Sequence, residues 1–301
     1  MLSYGFAKAI PLQMTFPGLF TLIEPFGNMS PMGVLWSSVG ASQPYEIAAG
    51  CLEIIGGLLL FVPRTTTLGA LISLADMSYV FLLNMTYDVP VKLLSFHLIL
   101  IALFLLAPDF GSLIRFFFLN RTAEPSPQTP LFRAPRGNHI SIAAQALLAL
   151  WLIAANLWGA RINWKQYGPG LPKPALYGIW DVERFSIDGQ LRPPLLTDHD
   201  RWRRLILERN DFAALTRMDD AQAYYNTALD TEKNTLTLTQ RHSNKPQKFS
   251  FTFARPAPDQ LILDGGFDNH STQIQLRLED PKKFLLVGRG FHWVQEYPFN
   301  R

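Results

Sequence analysis

The chain is predicted to be an α-helical integral membrane bundle followed by an all-β antiparallel barrel or sandwich domain. Three observations carry this. Four apolar runs between Tyr45 and Trp158 approach the roughly twenty residues that a helix needs to cross a bilayer. Charge is unevenly shared: residues 1 to 107 hold only Lys8, Arg64 and Lys92 against Glu24, Glu46, Glu53, Asp76 and Asp88, although the chain has 27 basic and 24 acidic residues. From about Tyr177 the pattern becomes short alternating runs divided by Asp188-Gly189, Asp264-Gly265-Gly266 and Arg289-Gly290.

In chain order, Leu2 to Ile10 reads as the last part of a span whose first half precedes Met1. Residues 11 to 43 carry no Lys or Arg and read as a long interfacial loop over the bundle mouth. Tyr45 to Val62, Thr67 to Met85 and Val91 to Leu106 read as spans, closed by Pro63-Arg64, the 86–90 turn and Pro108. Phe110 to Leu119 reads as an interfacial helix anchored by Arg115. Residues 122–139 form a basic linker, residues 140–158 a further transmembrane helix with Trp151 and Trp158 as interface anchors, and residues 159–173 a second linker. Arginines at 115, 121, 133 and 136 place the 109–139 segment inside. The 174–301 domain then lies outside, which in a bacterium is the far side of the inner membrane.

Within that domain, strands are expected at Ile179–Ile187, Arg203–Glu208, Ala223–Leu229, Leu236–Gln240, Phe249–Phe253, Gln260–Leu263, Gln273–Leu278, Phe284–Val287 and His292–Tyr297. Gly178-Ile179-Trp180 is similar to the start of lipocalins. That likeness implies a barrel interior able to hold an apolar ligand, with a fully packed interior as the alternative.

The formal charge is +3, and the basic residues are interleaved with acidic ones, so nucleic acid is not an expected partner. Cys51 is the single cysteine, which excludes an intrachain disulfide. No phosphate loop, dinucleotide glycine run, nucleophile elbow or metal-ligand spacing is present, so no metal and no cofactor bound by the chain itself is expected.

The chemistry-bearing stretch is Tyr87-Asp88-Val89-Pro90-Val91-Lys92-Leu93-Leu94-Ser95-Phe96-His97. Ionisable groups in hydrocarbon cost several kcal/mol and normally face a bundle interior or a wet cavity. At the helical rise, Glu53 lies about 12 Å below the outer surface and His97 about 8 Å deeper than Lys92. Lys8, Asn84, Asp88 and Lys92 are expected at the same side of the membrane, with Asp76 as the floor of an outward-opening polar funnel. Each has a structural alternative. Asp88 can start a helix, Lys8 and Lys92 can snorkel, Asn84 can join helices, Asp76 can be protonated or turned toward the inner surface, and Glu53 with His97 can fix packing.

These residues, with Tyr4-Gly5, Pro11, Ser30-Pro31-Met32-Gly33, Gly50 to Leu60, Thr66 to Ala70, Leu103 to Asp109 and Asn120-Arg121, resemble the DoxX family of bacterial membrane proteins. The resemblance covers residues 1–121, a four-helix module, to which the helix at 140–158 adds a fifth span. It implies a link to membrane redox systems, a quinone or a small anionic substrate, and an oxidoreductase partner subunit. In that reading Glu53 and His97 exchange protons, and Lys8, Asn84, Asp88, Lys92 and Asp76 bind substrate. The competing reading is a non-enzymatic module, anchored in the bilayer, whose β domain captures an apolar ligand or a client protein.

Overall fold

The computed structural model describes residues 1–122, 132–241, 246–267, 270–290 and 292–299. It divides into two compact units: Met1–Phe16 with Pro25–Leu171, and Pro17–Glu24 with Pro172–Arg301. The helices are α1 (Leu2–Ala9), α2 (Leu19–Ile23), α3 (Pro31–Gly40), α4 (Gln43–Leu59), α5 (Thr66–Thr86), α6 (Lys92–Leu106), α7 (Phe110–Phe117), α8 (Pro135–Gln166) and α9 (Leu285–Gly288).

Three helical stretches among the described residues are long and apolar enough to cross a membrane: Pro63–Thr86, Lys92–Phe117 and Pro135–Gln166. The helix expected at Tyr45 to Val62 forms as α4, with 17 residues. α8 exposes Leu147, Leu150, Trp151 and Trp158 and buries only Ala160. The segment expected as a long loop at 11–43 is instead largely helical. Ser30 caps α3 by accepting a hydrogen bond from the Gly33 amide, and Pro31 occupies the first turn, where its missing N–H costs nothing.

Small residues set the helix crossings. A side chain on Gly50 would lie 2.3 Å from the Ala9 nitrogen and 2.6 Å from the Gly5 oxygen, so α1 and α4 meet backbone to backbone. α5 ends on Asp88, whose φ of 53° is left-handed. The Val89 amide then donates back to the Asn84 carbonyl at 3.1 Å, and Val89 is buried, which closes the helix by a Schellman turn. Asp88 thus ends α5, whereas the sequence suggested a residue that starts α6.

The second unit is a closed antiparallel barrel. Its strands are β1 (Gly178–Ile187), β2 (Gln190–Leu191), β3 (Trp202–Arg209), β4 (Phe212–Arg217), β5 (Gln222–Asp230), β6 (Thr235–Gln240), β7 (Lys248–Ala257), β8 (Gln260–Phe267) and β9 (His270–Leu278). β1 and β3 to β9 follow one another around the barrel, and β1 pairs with β9 to close it. The short β2 extends β1 across Asp188-Gly189, both at positive φ, as a tight hairpin requires. Of the two architectures expected, the closed barrel is therefore the one formed.

Two expected strands do not form. Leu285–Gly288 is the short helix α9, and 292–297 is not a strand. Closure of β1 on β9 leaves β9, the strand that precedes them, paired on both sides. Conversely, β4 was not expected.

Inward-facing positions form one continuous cluster of Trp180, Phe185, Trp202, Tyr225, Phe249, Phe251 and the aliphatic residues between them. The Trp202 ring lies 6.2 Å from Phe185, 5.9 Å from Phe249 and 5.7 Å from Phe251. The Trp180 indole donates to the Leu176 carbonyl at 2.9 Å, which satisfies its one polar atom in the core. On the outside of the barrel, Ile179, Ile206 and Ala214 form a second apolar cluster. Leu19 of α2 packs on it, and the Leu19 amide donates to Glu208 at 3.1 Å.

Candidate functional site: a pocket in the helical unit

The close crossing of α1 and α4 brings Lys8 onto Glu53. The two form an ion pair with Lys8 nearly buried and Glu53 fully so. One face of α4 carries Glu46, Ala49, Gly50 and Glu53 at helical spacing. Glu46, also fully buried, accepts the Met14 amide at 2.9 Å and so fixes the chain that leaves α1. One face of α5 carries Asp76, Val80, Leu83 and Asn84 in the same way. Asn84 donates to the Ser95 hydroxyl of α6 at 3.0 Å.

These elements enclose a cavity of about 110 Å³. Its walls are mainly apolar, with Leu35, Trp36 and Val39 from α3, Met77, Val80 and Leu83 from α5, and Leu94 and Leu98 from α6. Its polar lining is Lys8, Gln13, Glu53, Asp76, Asn84 and Ser95, together with Tyr4, Tyr45 and Tyr79. The hydroxyls of Tyr45 and Tyr79 stand 3.4 Å apart. Three acceptor oxygens that belong to these lining residues are buried without a hydrogen-bond partner: Gln13 Oε1, Glu53 Oε2 and Asp76 Oδ2. An unmet buried acceptor costs about 1–3 kcal/mol, and three of them belong to residues of this one cavity, while Glu46 Oε2 and Ser73 Oγ are unmatched away from it.

Of the residues singled out from the sequence, the structure brings Lys8, Glu53, Asp76 and Asn84 to this cavity. Asp88 and Lys92 pair with each other, Asp88 on the exposed turn, and neither lines it. The Lys92 ammonium beside it holds the Asp88 carboxyl below the usual carboxylate range. His97 lies on the exposed face of α6, with its Nδ1 2.6 Å from the Leu93 carbonyl, and does not line the cavity.

Glu46 and Gln13 were not singled out from the sequence. Glu46 was findable: it precedes Glu53 by seven residues and so shares its helical face. Gln13 carries no local signal, because it reaches the cavity only through the turn after α1. In the barrel, Asp198 is committed to Arg192 at 2.7 Å and His199 to Asp219 at 3.1 Å. Among the described residues no group of three or more His, Cys, Asp or Glu side chains is placed to hold a metal ion.

Fold and site together define a membrane-associated protein with a helical pocket and an eight-stranded β-barrel domain. No protein-family model matches the chain, and no solved structure matches it significantly. It is 31% identical over 115 residues to a Bacillus subtilis protein named uncharacterized protein YwoB, a match that covers 35% of this chain and 67% of that one. The chain belongs to the family of that protein.

Proposed function

We propose that the helical unit holds the polar head of a membrane amphiphile, most suitably a quinone, and that the protein is a DoxX-like subunit or accessory of a membrane redox system. The observation that carries this is the cavity itself: apolar walls of α3, α5 and α6 around a polar end built on Lys8, Glu53 and Asp76. A quinone has an apolar tail to suit those walls. Its head takes up two electrons and two protons on reduction. Glu53 and Asp76 are the groups positioned to pass those protons, and Lys8 holds Glu53 in place. The electrons come from a partner oxidoreductase subunit. The site lies in a bacterial cytoplasmic membrane, with the β domain on the outer side.

The competing reading, in which the β domain captures an apolar ligand, has less support. The inward-facing side chains of the barrel already pack against one another around Trp202. The test is titration of a short-chain benzoquinol, kept reduced, into the full-length protein in lipid nanodiscs. The wild type is expected to bind it above the empty-nanodisc background. Ala49→Trp, which fills the cavity, is expected to lose that binding. Equal binding by both proteins refutes the proposal.

A further inference from the structure

We infer that this pocket selects a head group that donates hydrogen bonds, such as a phenolic hydroxyl, and rejects anions; the inference rests on the reading of the pocket as a ligand site. Buried acceptors outnumber the buried donors free to meet them at this cavity. Among the buried lining donors, the Lys8 ammonium is engaged with Glu53, the Asn84 amide with Ser95, and the Ser95 hydroxyl with the backbone carbonyls of Val91 and Lys92; Tyr4, Tyr45 and Tyr79 also line the cavity but are exposed, and Trp36 adds an indole N–H. On the acceptor side, Gln13 Oε1, Glu53 Oε2 and Asp76 Oδ2 are buried and unmatched. They come from three separate elements of the chain and belong to residues that line the same cavity.

Charge points the same way. Two lining carboxyls, Glu53 and Asp76, face one lining cation, Lys8, and that cation is already paired. An anionic head entering here meets oxygen lone pairs of its own sign in a largely apolar enclosure, where such repulsion is weakly screened. A hydroxyl-bearing head instead offers protons to oxygens that lack them. For a quinone and quinol pair, the reduced member is therefore the one held more tightly.

The experiment uses two probes of similar length, hexylresorcinol as donor and hexyl sulfate as anion, on the full-length protein in nanodiscs at mildly alkaline pH. Hexylresorcinol is expected to bind the wild type about tenfold more tightly than hexyl sulfate, the ratio that one hydrogen bond to a charged acceptor supplies. Asp76→Asn is expected to narrow that ratio and Asp76→Glu to keep it. Gln13→Leu, outside the helices, is expected to weaken hexylresorcinol alone and serves if Asp76→Asn does not fold. Equal or tighter binding of hexyl sulfate, lost in Ala49→Trp, overturns the selectivity and leaves the pocket reading standing. Binding of neither probe above the Ala49→Trp level overturns both.

Discussion

Lys8 of α1 and Glu53 of α4 form an ion pair inside the helical unit, and only one of the two Glu53 oxygens has a partner. The pair is buried, so removing one member strands a charge. Lys8→Met is expected to destabilise the helical unit by about 3–5 kcal/mol, whereas Lys8→Met with Glu53→Leu is expected to recover most of that loss. Thermal unfolding in detergent measures both. A double variant as unstable as the single one would show that the pair is not energetically isolated.

Rotation along the helix separates the expected proton-handling residues. Ser95 faces inward, and His97 lies two residues on, about 200° around α6 and on the exposed face. Glu53→Gln and Asp76→Asn are expected to lower quinone-dependent respiration of a host lacking the native gene. His97→Phe is expected to have a smaller effect than either. Oxygen uptake by membranes checks this, and a His97 effect larger than that of Glu53 would contradict the assignment.

Leu19 is a core residue of the barrel unit although it lies far from it in sequence. Leu19→Ala is expected to destabilise that unit by about 2 kcal/mol through the cavity it leaves. A fragment of residues 172–301 alone is expected to unfold at lower denaturant than the same fragment fused to residues 17–24. Equal midpoints would show that the outer cluster around Ile206 does not need its cover.

Asp188, at the β1–β2 turn, accepts hydrogen bonds from His270 at 2.7 Å and from the Ser271 amide at 2.9 Å. The His270 hydrogen bond, with smaller help from the Ser271 amide and the His270 charge, holds its carboxyl below the usual range. A depressed carboxyl stabilises the fold above the usual carboxylate value, and that contribution is lost as pH falls through the folded value. His270→Ala is expected to move the Asp188 titration upward, read from its carboxyl carbon by NMR. An unchanged titration would remove His270 as the cause.

Much of this architecture is legible in the residues, for local reasons. Strands such as Leu236–Gln240 and Gln273–Leu278 alternate cleanly, because one face fills the barrel and the other meets water. β4 is hidden because Phe212-Ala-Ala-Leu-Thr-Arg lacks that alternation: its outward-facing Ala214 is itself buried in the outer cluster. Phe284–Val287 has the composition of a strand, yet ring closure leaves β9, the strand before it, paired on both sides. The docking of residues 17–24 has no local signature at all. At the pocket, Lys8, Glu53 and Asp76 stand out because charge is rare among apolar neighbours. His97 stands out equally in the sequence, and only the rotation of α6 separates it from them.

The most direct test of a ligand site in the helical unit is native mass spectrometry of the full-length protein released gently from its own membrane, beside the Ala49→Trp variant. The wild type is expected to carry a bound amphiphile with a hydroxyl-bearing or quinoid head, and the variant to lose it. A wild type that carries no such species, or a variant that carries it to the same extent, would contradict the placement of a ligand site between Lys8, Glu53 and Asp76.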